Sequence, residues 1–119
     1  MNVYQIKLKS KMDEYAHYVY TITKSYPRSE LYGITSQIRR SSLSVILNYI
    51  EGYARGKILV RLNFSEISYA SLQESKYLLN FSLKENYMGQ QEYNISLKLA
   101  EEIGAMLWKE IKSLEKNTT

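Results

Sequence analysis

The stretch SQIRRSSLSVILNYIEGYARG, residues 36–56, gives the clearest indication of the fold. Aliphatic and small side chains fill it without a proline, which favours one long helix. Its apolar positions occupy more than one stripe, so we expect this helix to be buried on two sides. Arg39 and Arg40 interrupt the apolar pattern, while Gly52 and Gly56 mark the helix end and the following turn.

The rest of the chain also has a helical apolar pattern. Near both ends of the chain, apolar residues recur at three- and four-residue steps, which predicts a first and a last helix with one inward face each. These inward positions are Leu8, Met12, Tyr15, Val19 and Ile22, then Ile95, Leu99, Ile103, Met106, Leu107, Ile111 and Leu114. We predict helices at about 6–25, 31–54, 58–86 and 91–115. Short turns between them indicate an all-α, antiparallel up-down four-helix bundle that forms one domain over 1–119.

The composition is that of an ordinary globular chain, with 45% hydrophobic and 24% charged residues among 119. It contains no cysteine, which excludes disulfides, thiolate zinc sites and cysteine nucleophiles. No apolar run approaches the roughly 20 residues of a membrane span. The N-terminus lacks the apolar segment of a secretory signal. We therefore expect a cytoplasmic protein with no membrane partner.

The net charge of +4 is concentrated in the first half of the sequence. Residues 1–57 carry nine basic and four acidic side chains, hence +5, and residues 58–119 carry seven and eight, hence −1. A one-sided positive surface favours a polyanionic partner, because bound counterions are released on association. A solvated basic face without a specific partner is the alternative.

The sequence contains no motif that predicts catalysis. Glu14 and His17 form an E-x-x-H pair, but His17 is the single histidine, so the second such motif of a di-iron bundle cannot exist. Neither a P-loop, a G-x-G-x-x-G nor a G-x-S-x-G motif occurs. We therefore predict a protein that is not an enzyme and that uses no metal and no cofactor.

The paired arginines lie about 100° apart on a helix, so they cannot serve one face together. One reading is that an arginine forms an ion pair with Glu74 or with a neighbouring subunit, because an unpaired buried charge is very costly. Glu51 can pair with Arg55 at i,i+4 spacing. The other reading is a nucleic-acid surface, contributed by Arg39, Arg40, Arg55, Lys57, Lys24 and Arg28.

Three consecutive apolar residues follow the glycine turn at residue 56, where a monomer would keep polar side chains. Burial against another subunit explains them, and a helix start folded onto its own bundle end is the alternative. We assign an oligomer interface to Ile58, Leu59, Val60 and Tyr53.

Two segments carry a specific resemblance: LYGITSQIRRS at 31–41 and IEGYARG at 50–56. They resemble the hallmark of four-helix bundle proteins related to the large-subunit rRNA intervening-sequence protein. The segments YTITKSYP at 20–27, NFS at 63–65 and SLQE at 71–74 extend the likeness over about 6–115. Two departures are Ala54, where the family has a second glycine, and Asn63, where it has an arginine.

This resemblance implies a four-helix bundle that assembles as a ring, typically a homopentamer. The same family includes the accessory variability protein of diversity-generating retroelements, which binds a reverse transcriptase and nucleic acid. The function it implies here is a non-enzymatic accessory protein that binds structured RNA or DNA, or a reverse transcriptase. A protein-interaction scaffold ring that binds no nucleic acid is the alternative.

Overall fold

The computed structural model describes residues 1–118, and it is all-α: no strand occurs among these residues. Four long helices account for most of the chain. They are α1 (Val3–Ile22), α2 (Ile34–Arg55), α3 (Ile58–Lys84) and α4 (Gln90–Lys116). Two short 3-10 turns, Thr23–Ser25 and Arg28–Glu30, connect α1 to α2. The four predicted helices are thus confirmed, and their ends differ from the predicted ones by a few residues.

The first helix buries the predicted face, since Leu8, Met12, Tyr15, Val19 and Ile22 are all in the core. It begins earlier than predicted because Asn2 caps it. The Asn2 side chain accepts from the Gln5 amide at 2.8 Å, and the Gln5 side chain accepts from the Asn2 amide at 3.0 Å. This reciprocal pair satisfies two amides that a helix start leaves free.

The second helix ends at Arg55, one residue beyond the predicted end, and Gly56 follows with a φ of 78°. That left-handed conformation costs glycine little, so the chain turns sharply there into α3. At the other end, the Glu30 carboxylate accepts from the Ile34 amide at 3.3 Å. The chain turns again between α3 and α4, where Asn86 has a φ of 62°.

Small residues bring α2 and α3 close together. A Cβ on Gly52 would lie 2.7 Å from the Cβ of Phe64, so no larger residue fits without movement. The Ser68 hydroxyl donates to the Val45 carbonyl at 2.6 Å, and Ser44 and Ser71 share a hydrogen bond of 2.8 Å. Close backbone approach therefore explains why small polar residues stand in the middle of these helices.

The helices pack as a four-helix bundle: α2 contacts α3, α3 contacts α4, and α1 contacts both α2 and α4. The bundle measures 47 × 25 × 20 Å. An ion pair between Lys11 and Glu102 at 2.6 Å links α1 to α4, and this lysine lowers the pKa of Glu102 through its hydrogen bond and its charge.

Two predictions about burial are wrong for the single chain. Ile95 was expected to point inward but is exposed, because the α4 core stripe passes instead through Ser96, Ala100 and Ile103. The second apolar side of α2 is also open to solvent. One bundle offers α2 only one packing face, so the opposite face has nothing within the chain to cover it.

Candidate nucleic-acid interface

The six basic residues predicted to bind nucleic acid lie in two regions of the chain. Four lie in the 3-10 turns after α1 and in the first half of α2, and two lie at the junction of α2 with α3. Arg39 and Arg55 are sixteen positions apart in one helix, which corresponds to about 24 Å along its axis. The groups are Lys24, Arg28, Arg39 and Arg40, and then Arg55 and Lys57.

Arg39 is held against the end of α1. Its Nε donates to the Thr23 hydroxyl at 2.8 Å, and its Nη2 donates to the Tyr20 carbonyl at 3.4 Å. The guanidinium lies 4.0 Å from the centre of the Tyr20 ring, and the Lys24 ammonium lies 6.0 Å from the same ring centre. Two cations therefore lie over the ring of Tyr20, a residue that the sequence analysis did not identify as part of a site.

Arg40 is exposed on a groove of about 620 Å³ between α2 and α3. Glu74 lines the same groove, together with Ser44 and Ser71. Within residues 1–118, neither Arg40 nor Glu74 forms an ion pair. The intrachain ion pair from the paired arginines to Glu74 is therefore not formed, since Arg39 turns toward α1 and Arg40 toward solvent. Pairing with a neighbouring subunit stays a prediction.

Arg55 has a carboxylate partner, as its i,i+4 spacing predicts. Its Nη2 lies 2.8 Å and its Nε 3.1 Å from Oε1 of Glu51, and its guanidinium lies 5.6 Å from the Phe64 ring centre. Both charged groups are exposed, so the pair contributes only about 0.3–0.5 kcal/mol. Glu51 nevertheless neutralises part of the charge that Arg55 offers to a polyanion. Lys57 is exposed immediately before α3.

Of the residues predicted at an oligomer interface, Ile58, Leu59 and Val60 lie in the first turn of α3, and Tyr53 lies near the end of α2. Leu59 is 69% exposed, Ile58 is also exposed, and Val60 is half-buried. Tyr53 is half-buried because the Arg61 guanidinium stacks over its ring at 4.8 Å. The alternative of a helix start folded onto its own bundle is wrong for Leu59, which remains largely in solvent.

A second apolar surface lies on the outer face of α2. Leu43, Leu47 and Ile50 recur at i, i+4 and i+7, so they share one face of the helix. They are 48%, 54% and 37% exposed, respectively. Sequence reasoning found the two-sided apolar pattern of α2 but did not assign this face to the interface.

Sequence reasoning missed a buried polar network around Glu110 that joins all four helices. Oε2 of Glu110 accepts from the Tyr49 hydroxyl at 2.6 Å, and Oε1 accepts from the Gln5 amide nitrogen at 3.1 Å. The Arg61 guanidinium lies 3.6 Å from Oε1. Burial, and then the hydrogen bond to Glu110, raise the pKa of Tyr49 well above its ordinary value. One signal was available: Glu110 follows Leu107 by three residues, on the inward stripe.

No group of three or more metal-ligating side chains that could hold an ion occurs within residues 1–118. His17 and Asp13 lie 3.4 Å apart, and both are exposed. In that same part of the chain, no helix is both long and apolar enough to span a membrane.

The fold defines the chain as a four-helix bundle protein, with exposed cations and an open apolar helix face. The chain belongs to the family of 23S rRNA-intervening sequence proteins, whose family model matches residues 4–109. The structure is similar to the crystal structure of a protein of unknown function from the S23 ribosomal protein family of Bacteroides thetaiotaomicron. Their TM-score is 0.86 at 22% identity, over 92% of this chain and 99% of that one. No curated protein sequence matches this chain.

Proposed function

We propose that this chain is a cytoplasmic, non-enzymatic accessory protein that self-associates and binds structured RNA or DNA. One observation carries the proposal: α2 exposes Leu43, Leu47 and Ile50 on a single face, and Arg40, three residues before Leu43, has no carboxylate partner in residues 1–118. Contiguous exposed apolar side chains rimmed by polar residues are typical of protein interfaces. A second copy of the chain is the partner that we infer for this face.

Charge complementarity supports a second copy as that partner. Arg40 and Glu74 lie on the same groove, and both are unpaired within residues 1–118. Each can therefore meet the opposite charge on a neighbouring copy. The exposed residues at the start of α3, Ile58 and Leu59, add apolar area to the contact.

The assembly that we infer is a ring of antiparallel bundles, typically five. Contacts between α1 and α4 support the antiparallel order, because Tyr4 bonds to Met106 while Lys11, further along α1, bonds to Glu102, earlier in α4. Five copies at +4 each would carry about +20, so closure turns a modest charge into a strongly cationic surface. Binding would be directed at phosphates and would depend steeply on salt.

The accessory variability protein offers a narrower version of this function, in which the partner is a reverse transcriptase. The alternative from another class is a scaffold ring without nucleic acid. Exposed tyrosines favour it, since Tyr32 and Tyr77 are 93% and 65% exposed and tyrosine suits protein contacts.

Light scattering at micromolar protein tests the assembly. We expect an oligomer for the wild type and a monomer with unchanged helicity for Leu47→Glu, because the charge enters the middle of the α2 face. Lys112→Glu on the exposed surface of α4 is the matched control and should remain oligomeric. A monomeric wild type would contradict the ring.

Titration of a labelled RNA duplex, DNA duplex and hybrid duplex at 50 to 200 mM salt tests the ligand. We expect affinity to fall by at least tenfold across this range. The monomeric Leu47→Glu variant should bind more weakly, because it loses the avidity of the ring. Absence of salt-sensitive binding by an oligomeric wild type would favour the scaffold.

A further inference from the structure

Three arginines in residues 1–118 stack on an aromatic ring, and they differ in what else they touch. Arg55 stacks on Phe64 and pairs with Glu51, and Arg61 stacks on Tyr53 and faces Glu110. Arg39 stacks on Tyr20 at the shortest distance of the three, 4.0 Å. It has no carboxylate within ion-pair distance in the described part of the chain. In two of three cases the protein thus places an oxyanion beside a stacked guanidinium, and in the third it leaves that position open.

The contacts of Arg39 fix its guanidinium without using all its donors. Its Nε bonds to Thr23, whose hydroxyl is anchored in turn by the carbonyls of Val19 at 2.8 Å and Tyr20 at 3.0 Å. Two of the five guanidinium N–H groups are used in this way, so three remain for a ligand. A side chain that is already ordered loses less conformational entropy on binding.

Lys24 adds a second cation to the same surface. Its ammonium lies over the Tyr20 ring, and Tyr20 itself is 54% exposed, so the ring places both charges at the solvent boundary. Within residues 1–118, Lys24 also lacks a carboxylate partner. A planar arginine fork and a lysine point charge that share one tyrosine ring suit a phosphate, which accepts bidentate hydrogen bonds from arginine and pairs with the compact charge of lysine.

We propose that Arg39 and Lys24, carried on the Tyr20 ring, form the phosphate site at which this protein binds the nucleic-acid backbone. This inference rests on the proposed function and narrows it, because the primary contact is assigned to Arg39 and Lys24 and not to Arg55, whose charge Glu51 partly neutralises. Thr23 acts as a positioning residue: it holds Arg39 and does not contact the ligand.

Fluorescence anisotropy with one labelled RNA duplex, over a series of salt concentrations, tests the assignment. We expect Arg39→Gln to weaken binding about tenfold, the loss of one charge-assisted contact. The slope of log affinity against log salt should fall by about one for each bound copy. Lys24→Gln should act in the same direction. Arg55→Gln is the matched control, since it also removes a ring-stacked arginine, and it should change affinity less than twofold.

A second measurement reads the site without nucleic acid. Addition of inorganic pyrophosphate should shift the Nε–Hε NMR signal of Arg39, identified by its loss in Arg39→Gln, and leave that of Arg55 in place. Circular dichroism checks that each variant folds. Lys24→Gln keeps the test open if Arg39→Gln does not fold, because Lys24 makes no hydrogen bond that the fold needs.

The outcomes separate this inference from the proposed function. If the wild type binds the duplex while Arg39→Gln and Lys24→Gln bind equally well, or Arg55→Gln loses as much, the site is overturned and nucleic-acid binding stands. If pyrophosphate shifts Arg39 but no duplex binds, the proposed function fails and the residues form a site for small phosphates only. If neither ligand binds, both are wrong.

Discussion

Arg61 and Arg39 each stack on a tyrosine ring, in two regions of the bundle, and differ in their other partners. Arg61 lies over Tyr53 and faces the buried carboxylate of Glu110, which also binds Gln5 near the start of α1. Arg39 lies over Tyr20, fifteen residues further along α1 and thus about 22 Å from Gln5 along its axis. Arg61 therefore pairs with a carboxylate of the core, whereas the charge of Arg39 remains available to a ligand.

The Glu110 region stabilises the fold, whereas the Tyr20 region leaves charged groups open to a ligand. Glu110 is buried and accepts hydrogen bonds from Gln5 and Tyr49 while Arg61 faces it at 3.6 Å, so removal of its carboxylate would leave the buried Tyr49 hydroxyl without a partner. Arg39 rests on an exposed ring at the bundle surface, where water can replace the lost contacts. We expect substitutions at the first region to change folding and substitutions at the second to change binding.

The largest effect should come from Glu110→Ala. It removes the shared acceptor of Gln5, Tyr49 and Arg61, and we expect a loss of about 3 kcal/mol in the free energy of unfolding. Urea titrations at equal protein concentration measure it, since self-association would otherwise shift the midpoint. Glu110→Gln retains one acceptor and should lose less. If Glu110→Ala is as stable as the wild type, the Glu110 network does not stabilise the fold.

The next effect compares the two arginines directly. Arg61→Gln leaves Glu110 buried without its cation and should cost about 2 kcal/mol. Arg39→Gln loses one ring contact and a surface hydrogen bond, so we expect about 0.5–1 kcal/mol. The same urea titrations decide the order. A reversed order would mean that the Tyr20 region, not the Glu110 network, holds the helices together.

The smallest effect concerns alkaline pH. Burial raises the pKa of Tyr49 and of Tyr15 above the ordinary value of 10.0, so both keep their proton in the folded state. Their contribution to stability is complete below pH 10 and is lost as the pH rises above it, because the unfolded tyrosines ionise first. Each should cost about 0.4 kcal/mol at pH 10 and about 1.4 kcal/mol at pH 11, because the loss approaches about 1.4 kcal/mol per pH unit only above the ordinary pKa.

Urea titrations at pH 9 to 11 test this expectation. Tyr49→Phe cannot ionise at that position. Its free energy of unfolding should therefore fall less between pH 9 and 11 than that of the wild type, by the contribution of one tyrosine. Tyr32→Phe, at a position 93% exposed, is the matched control and should leave the slope unchanged. If Tyr49→Phe and the wild type lose stability with the same slope, Tyr49 does not keep its proton in the folded state.

The sequence predicted the elements of the fold because the relevant signals are local. The periodic residues of α1 define its buried face, and Gly56 defines the turn before α3 through its own backbone freedom. The cations were also visible as residue types. Their positions relative to one another could not be predicted, because Arg39 reaches the Tyr20 ring, which Lys24 also contacts, only when α2 packs against α1. The length of α2 separates Arg55 from these two residues.

The identity of Glu110 as the shared acceptor depended on distances between helices. A carboxylate on an inward stripe is readable in one helix, but its partners Gln5, Tyr49 and Arg61 come from three others. No local pattern relates these positions.

Local sequence patterns were enough to predict the four helices, the core face of α1, the turns, the uneven charge and the Arg55–Glu51 pair, since each follows from the neighbours of a residue along the chain. Helix packing was needed to bring Arg61 within 3.6 Å of Glu110 and to place Arg39 on the Tyr20 ring with donors left open. Such contacts depend on a few ångströms between side chains of different helices. That separation is set by how the helices pack against one another.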